Sequence, residues 1–216
     1  MIVEVKVCGI TKKKDAELIL NAGAKYLGFI LFKKSPRHIS IENAKLIFDK
    51  LDNFVYSRVA VDVCPTPEKV ISMKEVGFNY FQFHFPLDFD MKKVRQWSEL
   101  VGSSKLWLAP KIPPGVDFPE DLLGYSDNFL IDAFSKNSFG GTGNQADWKN
   151  FSEYKLKYPE KKWILAGGIG PENIGSAVKQ LDIELVDVNS AVEIMPGVKD
   201  VNKIKKLFLC LKEFEK

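Results

Sequence analysis

Asn21 to Leu31 reads NAGAKYLGFIL, and the fold turns on how that run is divided. Ala16, Ile19, Leu20 and Gly23 form one apolar stripe at helical spacing, and Gly23 stands where a helix would end in a left-handed cap. Tyr26 to Leu31 then makes an apolar run of strand length. KEVGFNYFQFHF (Lys74 to Phe85) repeats the event, with Gly77 in the place of Gly23. YSDNFLIDAF (Tyr125 to Phe134) and KQLDIELVDVNS (Lys179 to Ser190) repeat it without the glycine.

Working outward, eight runs read as strands: 2–8, 26–31, 57–63, 79–84, 104–109, 128–132, 162–166 and 185–189. Helical patterns separate most of them, and Val201, Ile204, Leu207, Phe208 and Leu211 form the last stripe. Alternating strands and helices imply a parallel sheet. Eight such units in 216 residues predict a single-domain (β/α)8 TIM barrel over residues 1–216, with a doubly wound sheet as the alternative. One unit is irregular: APKIPPGVDFP (Ala109 to Pro119) carries too many prolines for a helix.

Barrel strands alternate between the interior and the surrounding helices. In VEVKVCGIT (Val3 to Thr11) the valines 3, 5 and 7 claim the helix side, so Glu4, Lys6 and Cys8 face inward. The same parity turns Gln82, His84, Leu130, Asp132, Asp187 and Asn189 inward. Strands 1 and 8 become neighbours on closure. Lys6 is therefore expected to pair with Asp187, because an unpaired buried charge is costly.

Barrel enzymes keep their chemistry at the C-terminal ends of the strands. Cys8 ends strand 1 before Gly9, and Lys6 nearby is expected to favour its thiolate, the form that acts as base or nucleophile. Asp132 ends strand 6 behind an apolar run and suits a general acid with a raised pKa. Glycine-rich or small-residue loops follow strands 6, 7 and 8: SFGGTG with Gly141, LAGGIGPEN with Gly167 and Gly168, and VNSAVE with Ser190 and Ala191. Such loops let backbone N–H groups surround a phosphate, and Pro171 would suit a first helical position. Arg37, in SPRHIS, offers a fork for a carboxylate. His84 is expected to touch substrate. Cys64 is a rival thiol, and Cys210 reads as packing.

Several classes are excluded. The +3 net charge is spread along the chain, so no nucleic-acid partner is expected. No apolar run approaches the ~20 residues that a membrane span needs. Three cysteines in no disulfide-like spacing imply free thiols and a cytoplasmic setting. Cys8, Cys64, His84 and Asp132 lack local ligand spacing, so no metal is expected. The sequence leaves the oligomeric state open.

Taken together, KVCGIT, DAELILNAGAKYLGFIL, SPRHIS, QFH, LIDAFSKNSFGGTGNQADW, ILAGGIGPENI and VDVNSAVEIMPGVKD resemble the phosphoribosylanthranilate isomerase family, in that family's order from Lys6 to Asp200. The resemblance implies an Amadori rearrangement in tryptophan biosynthesis on a small phosphorylated substrate, without metal or organic cofactor. It makes Asp132 the general acid and Cys8 the general base. It sets Arg37 against the anthranilate carboxylate, and puts Gly167, Gly168, Ser190 and Ala191 around the phosphate. There are departures. Phe85 replaces a glycine, Asp62 and Cys64 end strand 3, strand 5 reads LWLAPKIPP, and Ala191 replaces a glycine. These are expected to change the pocket walls. An epimerase or synthase of another phosphosugar barrel family would fit the phosphate loops but leave Cys8 unexplained. A silent phosphate-binding barrel would leave both Cys8 and Asp132 unexplained.

Overall fold

A computed structural model describes residues 2–133 and 148–214. Eight parallel strands close into a barrel in chain order: β1 (Glu4–Val7), β2 (Tyr26–Ile30), β3 (Ser57–Val63), β4 (Tyr80–Pro86), β5 (Leu106–Lys111), β6 (Asn128–Ile131), β7 (Lys162–Leu165) and β8 (Leu185–Val188). The doubly wound alternative is thereby set aside. Helices α1 (Lys13–Ala22), α2 (Ile41–Phe48), α3 (Pro67–Val76), α4 (Met91–Val101), α5 (Trp148–Lys157), α6 (Ile174–Gln180) and α7 (Val201–Lys212) surround it. A small antiparallel hairpin, β9 (Glu193–Met195) and β10 (Val198–Lys199), sits between β8 and α7.

The turns behave as their residues dictate. Gly23 ends α1 at φ 115° and Gly77 ends α3 at φ 98°, so both take the left-handed cap that a side chain would strain. Ser40, Thr66 and Asp200 cap α2, α3 and α7 through side-chain oxygens that accept backbone N–H bonds. α6 begins at Ile174, behind Asn173. Pro171 therefore lies in the preceding turn rather than at the first helical position. There the Asn173 side chain accepts from the Gly170 N–H at 2.9 Å and donates to the Gly168 carbonyl at 3.0 Å, and it shapes the loop before the helix starts.

Two apolar layers follow from strand parity. Val3, Val5, Val7, Phe81, Phe83, Phe85 and Phe129 face the helices. Cys8, Tyr26, Val59, Val61, Trp107, Leu130, Ile164 and Leu185 form a separate interior cluster. Tyr26, Tyr80 and Trp107 form an aromatic plug inside, with ring centroids 5.4 to 5.7 Å apart.

The proline-rich fifth unit has no α-helix between β5 and β6, only a single 3-10 turn at Glu120–Gly124. Phe118 takes the missing helix's place. Its ring meets Phe129, Tyr154, Tyr158 and Trp163 at centroid distances of 5.1 to 6.0 Å. The outer face of β6 and β7 is sealed by one aromatic side chain and its neighbours.

Candidate active site

The deepest element of the mouth is an ion pair. Lys6 on β1 lies beside Asp187 on β8, in register, with Nζ 2.7 Å from Oδ1. The Lys6 side chain is fully buried, and the neighbouring carboxylate holds its pKa above the usual lysine value against the cost of burial. This is the pairing that strand parity requires. Gly28 on β2 makes room for it. A Cβ at Gly28 would lie 2.8 Å from the Cys8 sulfur and 3.0 Å from Lys6 Cε.

Cys8 sits one residue past β1, and its N–H donates to the Val188 carbonyl at 2.8 Å. It is 3% exposed and belongs to the interior cluster. Gly9, at φ 77°, then turns the chain so closely that a Cβ there would meet Asn189 Oδ1 at 2.8 Å and Arg37 Cδ at 2.9 Å. The thiol is not activated as its proximity to Lys6 suggests. Burial raises its pKa above the ordinary cysteine value, and Lys6 and Lys199 pull it down only in part. In this form Cys8 is a neutral thiol.

Asp132 follows β6, half-buried, with Oδ1 accepting the Ala133 N–H at 2.8 Å. Burial raises its pKa to about 6, Asp187 adds to the rise, and Lys6 opposes it. A carboxyl so placed exchanges a proton near neutral pH. Cys8 and Asp132 thus both feel the field of the Lys6–Asp187 pair.

His84 is buried and inward, and its Nε2 lies 2.8 Å from Gln82 Nε2. Burial and Lys6 together lower its pKa to about 3, so the imidazole is neutral. A neutral ring that accepts the Gln82 amide at Nε2 carries its own hydrogen on Nδ1.

Gly167 and Gly168 follow β7 with φ 78° and 66°. A Cβ at Gly167 would overlap the Ala133 backbone nitrogen, and one at Gly170 would overlap the Ala191 side chain. Ala133, just past β6, is therefore packed against the loop after β7, and that loop against the turn after β8. Ser190 and Ala191 open a single 3-10 turn, Ser190–Val192, whose first N–H groups have no partner within the turn. Gly141 lies outside the described residues.

Arg37 is buried, and its fork is already engaged. Nε donates to both carboxylate oxygens of Glu193, at 3.1 and 2.9 Å, and Nη2 donates to Oε2 at 2.8 Å. Lys199 Nζ reaches Glu193 Oε1 at 2.9 Å and Asn189 Oδ1 at 3.1 Å. Glu193 and Lys199 lie in the run VDVNSAVEIMPGVKD, where no motif assigns either a role. Their signal was a glutamate and a lysine flanking a Pro-Gly turn.

Three departures prove to lie away from the mouth. Asp62 faces outward with Ala60, opposite to Val59 and Val61, and pairs with Lys69 of α3 at 2.5 Å. Phe85 also faces outward, with centroids 5.9 Å from Phe89 and 5.8 Å from Trp97. Cys64 is half-buried against the helix-side cluster at φ 47°, its Sγ 3.7 Å from the His84 carbonyl, and burial raises its pKa as it does that of Cys8. The expectation that Asp62, Cys64 and Phe85 reshape the pocket walls is corrected. Among the described residues, no three His, Cys, Asp or Glu side chains converge to hold a metal ion. Nor is any helix long and apolar enough to cross a membrane.

Residues 5–209 match the family model described as N-(5'phosphoribosyl)anthranilate (PRA) isomerase. The chain belongs to the phosphoribosylanthranilate isomerase family. An N-(5'-phosphoribosyl)anthranilate isomerase of Petrotoga mobilis is 37% identical over 210 residues, which cover 94% of each chain. The crystal structure of the phosphoribosyl anthranilate isomerase from Thermus thermophilus superposes with a TM-score of 0.81 at 32% identity, covering 99% of this chain and 100% of that one. A family structure in complex with reduced 1-(o-carboxyphenylamino)-1-deoxyribulose 5-phosphate gives a TM-score of 0.75 at 31% identity, covering 98% of this chain and 100% of that one. Membership of this family sets aside the epimerase and synthase alternatives.

Proposed function

We propose a division of labour among the mouth residues for the reaction of this family. The protein is an isomerase of tryptophan biosynthesis that converts N-(5'-phosphoribosyl)anthranilate into 1-(2-carboxyphenylamino)-1-deoxyribulose 5-phosphate by an Amadori rearrangement. Asp132 donates its proton to the furanose ring oxygen. The C1'–O bond breaks, and the anthranilate nitrogen is left as an iminium. Cys8, as thiolate, takes the proton from C2', and the electron pair moves to form the enolamine. Tautomerisation then gives the ketone, and solvent returns the two groups to their starting states.

The observation that carries this reading is the pairing of a carboxyl raised to about 6 with a buried thiol across one ion pair. The reactive form needs a protonated Asp132 and an ionised Cys8, the reverse of their ground-state order. A cationic iminium beside the sulfur supplies the attraction that favours the thiolate. kcat/KM is therefore expected to plateau between the two pKa values, with its acid limb near 6. Gly167, Gly168, Ser190 and Ala191 are proposed to hold the phosphate through backbone N–H groups, with Gly141 contributing from the loop after β6. Arg37 is proposed to hold the anthranilate carboxylate, and His84 to touch the substrate through Nδ1–H. No cofactor is needed for these steps, and a cytoplasmic setting suits three free thiols.

The test is direct. Fluorescence of freshly prepared phosphoribosylanthranilate is followed in the presence of the wild type, Cys8→Ala and Asp132→Asn. Each variant is expected to lose on the order of a hundred- to ten-thousandfold in kcat. An active Cys8→Ala would move the base elsewhere, and an active Asp132→Asn would remove the acid.

A further inference from the structure

We infer that Glu193, with Lys199 behind it, is a positioning residue that aims the Arg37 fork and so sets the enzyme's preference for a carboxylate-bearing substrate. The inference rests on the reading of Arg37 given above.

The geometry begins with the hairpin. β9 and β10 set Glu193 opposite Lys199 in register. The hairpin is pinned at its turn, where Thr11 Oγ1 donates to the Gly197 carbonyl at 2.6 Å. Gly197 also donates its N–H to Glu193 Oε1 at 3.1 Å. Glu193 is therefore held by the turn, by Lys199 and by Arg37 at once. A carboxylate fixed this way binds one edge of the guanidinium, through Nε and Nη2. Nη1 makes no hydrogen bond among the described residues. The arginine is locked in plane with one edge used and the other free.

The charges agree. The buried cationic groups of Arg37 and Lys199 share a single carboxylate, that of Glu193. Asp15 accepts the backbone N–H of Lys199 at 3.1 Å and does not meet its ammonium, and the exposed Lys203 donates Nζ to the Glu193 backbone carbonyl at 2.8 Å. One positive charge is left over around that carboxylate, in a group where Arg37, Glu193 and Lys199 are all buried. A carboxylate on the free edge of Arg37 would complete it. A glutamine at 193 would keep the shape but lose the charge, and its amide nitrogen would set a donor against either the Arg37 fork at Oε2 or the Lys199 and Gly197 donors at Oε1.

The experiment compares kcat/KM for phosphoribosylanthranilate and for the carboxylate-free phosphoribosylaniline. In Glu193→Gln the preference for the first is expected to fall roughly ten- to a hundredfold, the value of one to two charge-assisted hydrogen bonds, with turnover of the aniline compound nearly unchanged. Lys199→Met provides a second variant should Glu193→Gln fold poorly. It removes the surplus charge and is expected to lower the preference about tenfold. An equal loss on both substrates would mean a merely structural role and would overturn the inference, as would an unchanged preference in these variants. Arg37→Ala separates the two ideas. If it abolishes the preference while Glu193→Gln and Lys199→Met do not, the clamp fails and the carboxylate reading stands. If Arg37→Ala leaves the preference intact, the carboxylate reading itself fails.

Discussion

Two buried charge clusters sit at the mouth, and they are built on opposite plans. Lys6 and Asp187 come from neighbouring strands, balance one for one and lie in the packed interior. Arg37, Glu193 and Lys199 come from a loop and a hairpin, and the cations outnumber the anions. The first cluster is closed and sets a field for groups that exchange protons. The second is open on one edge and calls for an anion. Buried ion pairs are costly to form and weak evidence of stability by themselves. What distinguishes these two is whether the group is complete without a ligand.

Breaking the closed cluster should have the largest effect. Lys6→Met leaves Asp187 unpaired and is expected to destabilise the protein by about 3–5 kcal/mol in denaturant unfolding. Lys6→Met combined with Asp187→Leu should regain most of that loss. If the double variant is no more stable than the single, the pair is not the closed unit described here.

A smaller effect concerns Asp132, whose carboxyl is held above its unfolded value. Its ionised form is disfavoured by the fold, so its contribution is best at low pH and declines as pH rises from about 4 in the unfolded chain to about 6 in the folded one. Asp132→Asn, neutral throughout, should be more stable than wild type at pH 8 by on the order of 1–2 kcal/mol, allowing for partial exposure. The gain should vanish near pH 4. Equal unfolding midpoints at pH 8 would contradict the raised pKa.

The smallest effect probes the open cluster. Anthranilate alone, at a concentration equal to its Kd, should stabilise the protein by about 0.4 kcal/mol. Arg37→Ala should abolish the effect and Lys6→Met should not. A response that survives in Arg37→Ala would place the anion somewhere else.

The contrast also explains what the sequence could reveal. Lys6 and Asp187 were legible because a strand has period two, and one valine-lined face fixes the other. Cys8, His84 and Asp132 became legible the same way, and the glycines after β7 through their turn chemistry. The partnership of Arg37 with Glu193 spans 156 positions between two irregular segments, where no period carries information. Glu193 and Lys199 were readable only as a charged pair around a turn. Asp62 was misplaced because SRVAVDV is apolar on both faces from Val59 to Val61, which hides the parity in the middle of the strand. Phe85 shares parity with Phe81 and Phe83, so its outward direction was available and had only to be taken. The Cys8 thiol was misjudged for a different reason. A nearby ammonium is visible in the sequence, but the desolvation that outweighs it depends on the closed barrel.

The Lys6–Asp187 contact also has a bearing on the order of synthesis. Lys6 leaves the ribosome with the first strand of the barrel, and its partner arrives only with the eighth. Until then the amine belongs to an unfinished sheet and stays in water, so the emerging chain has little to gain from closing early on a shorter ring. The last strand brings both the hydrogen bonds and the charge that the first one lacks. A chain released before Asp187 would keep an open edge and an unanswered lysine, which marks it as incomplete to whatever surveys nascent proteins.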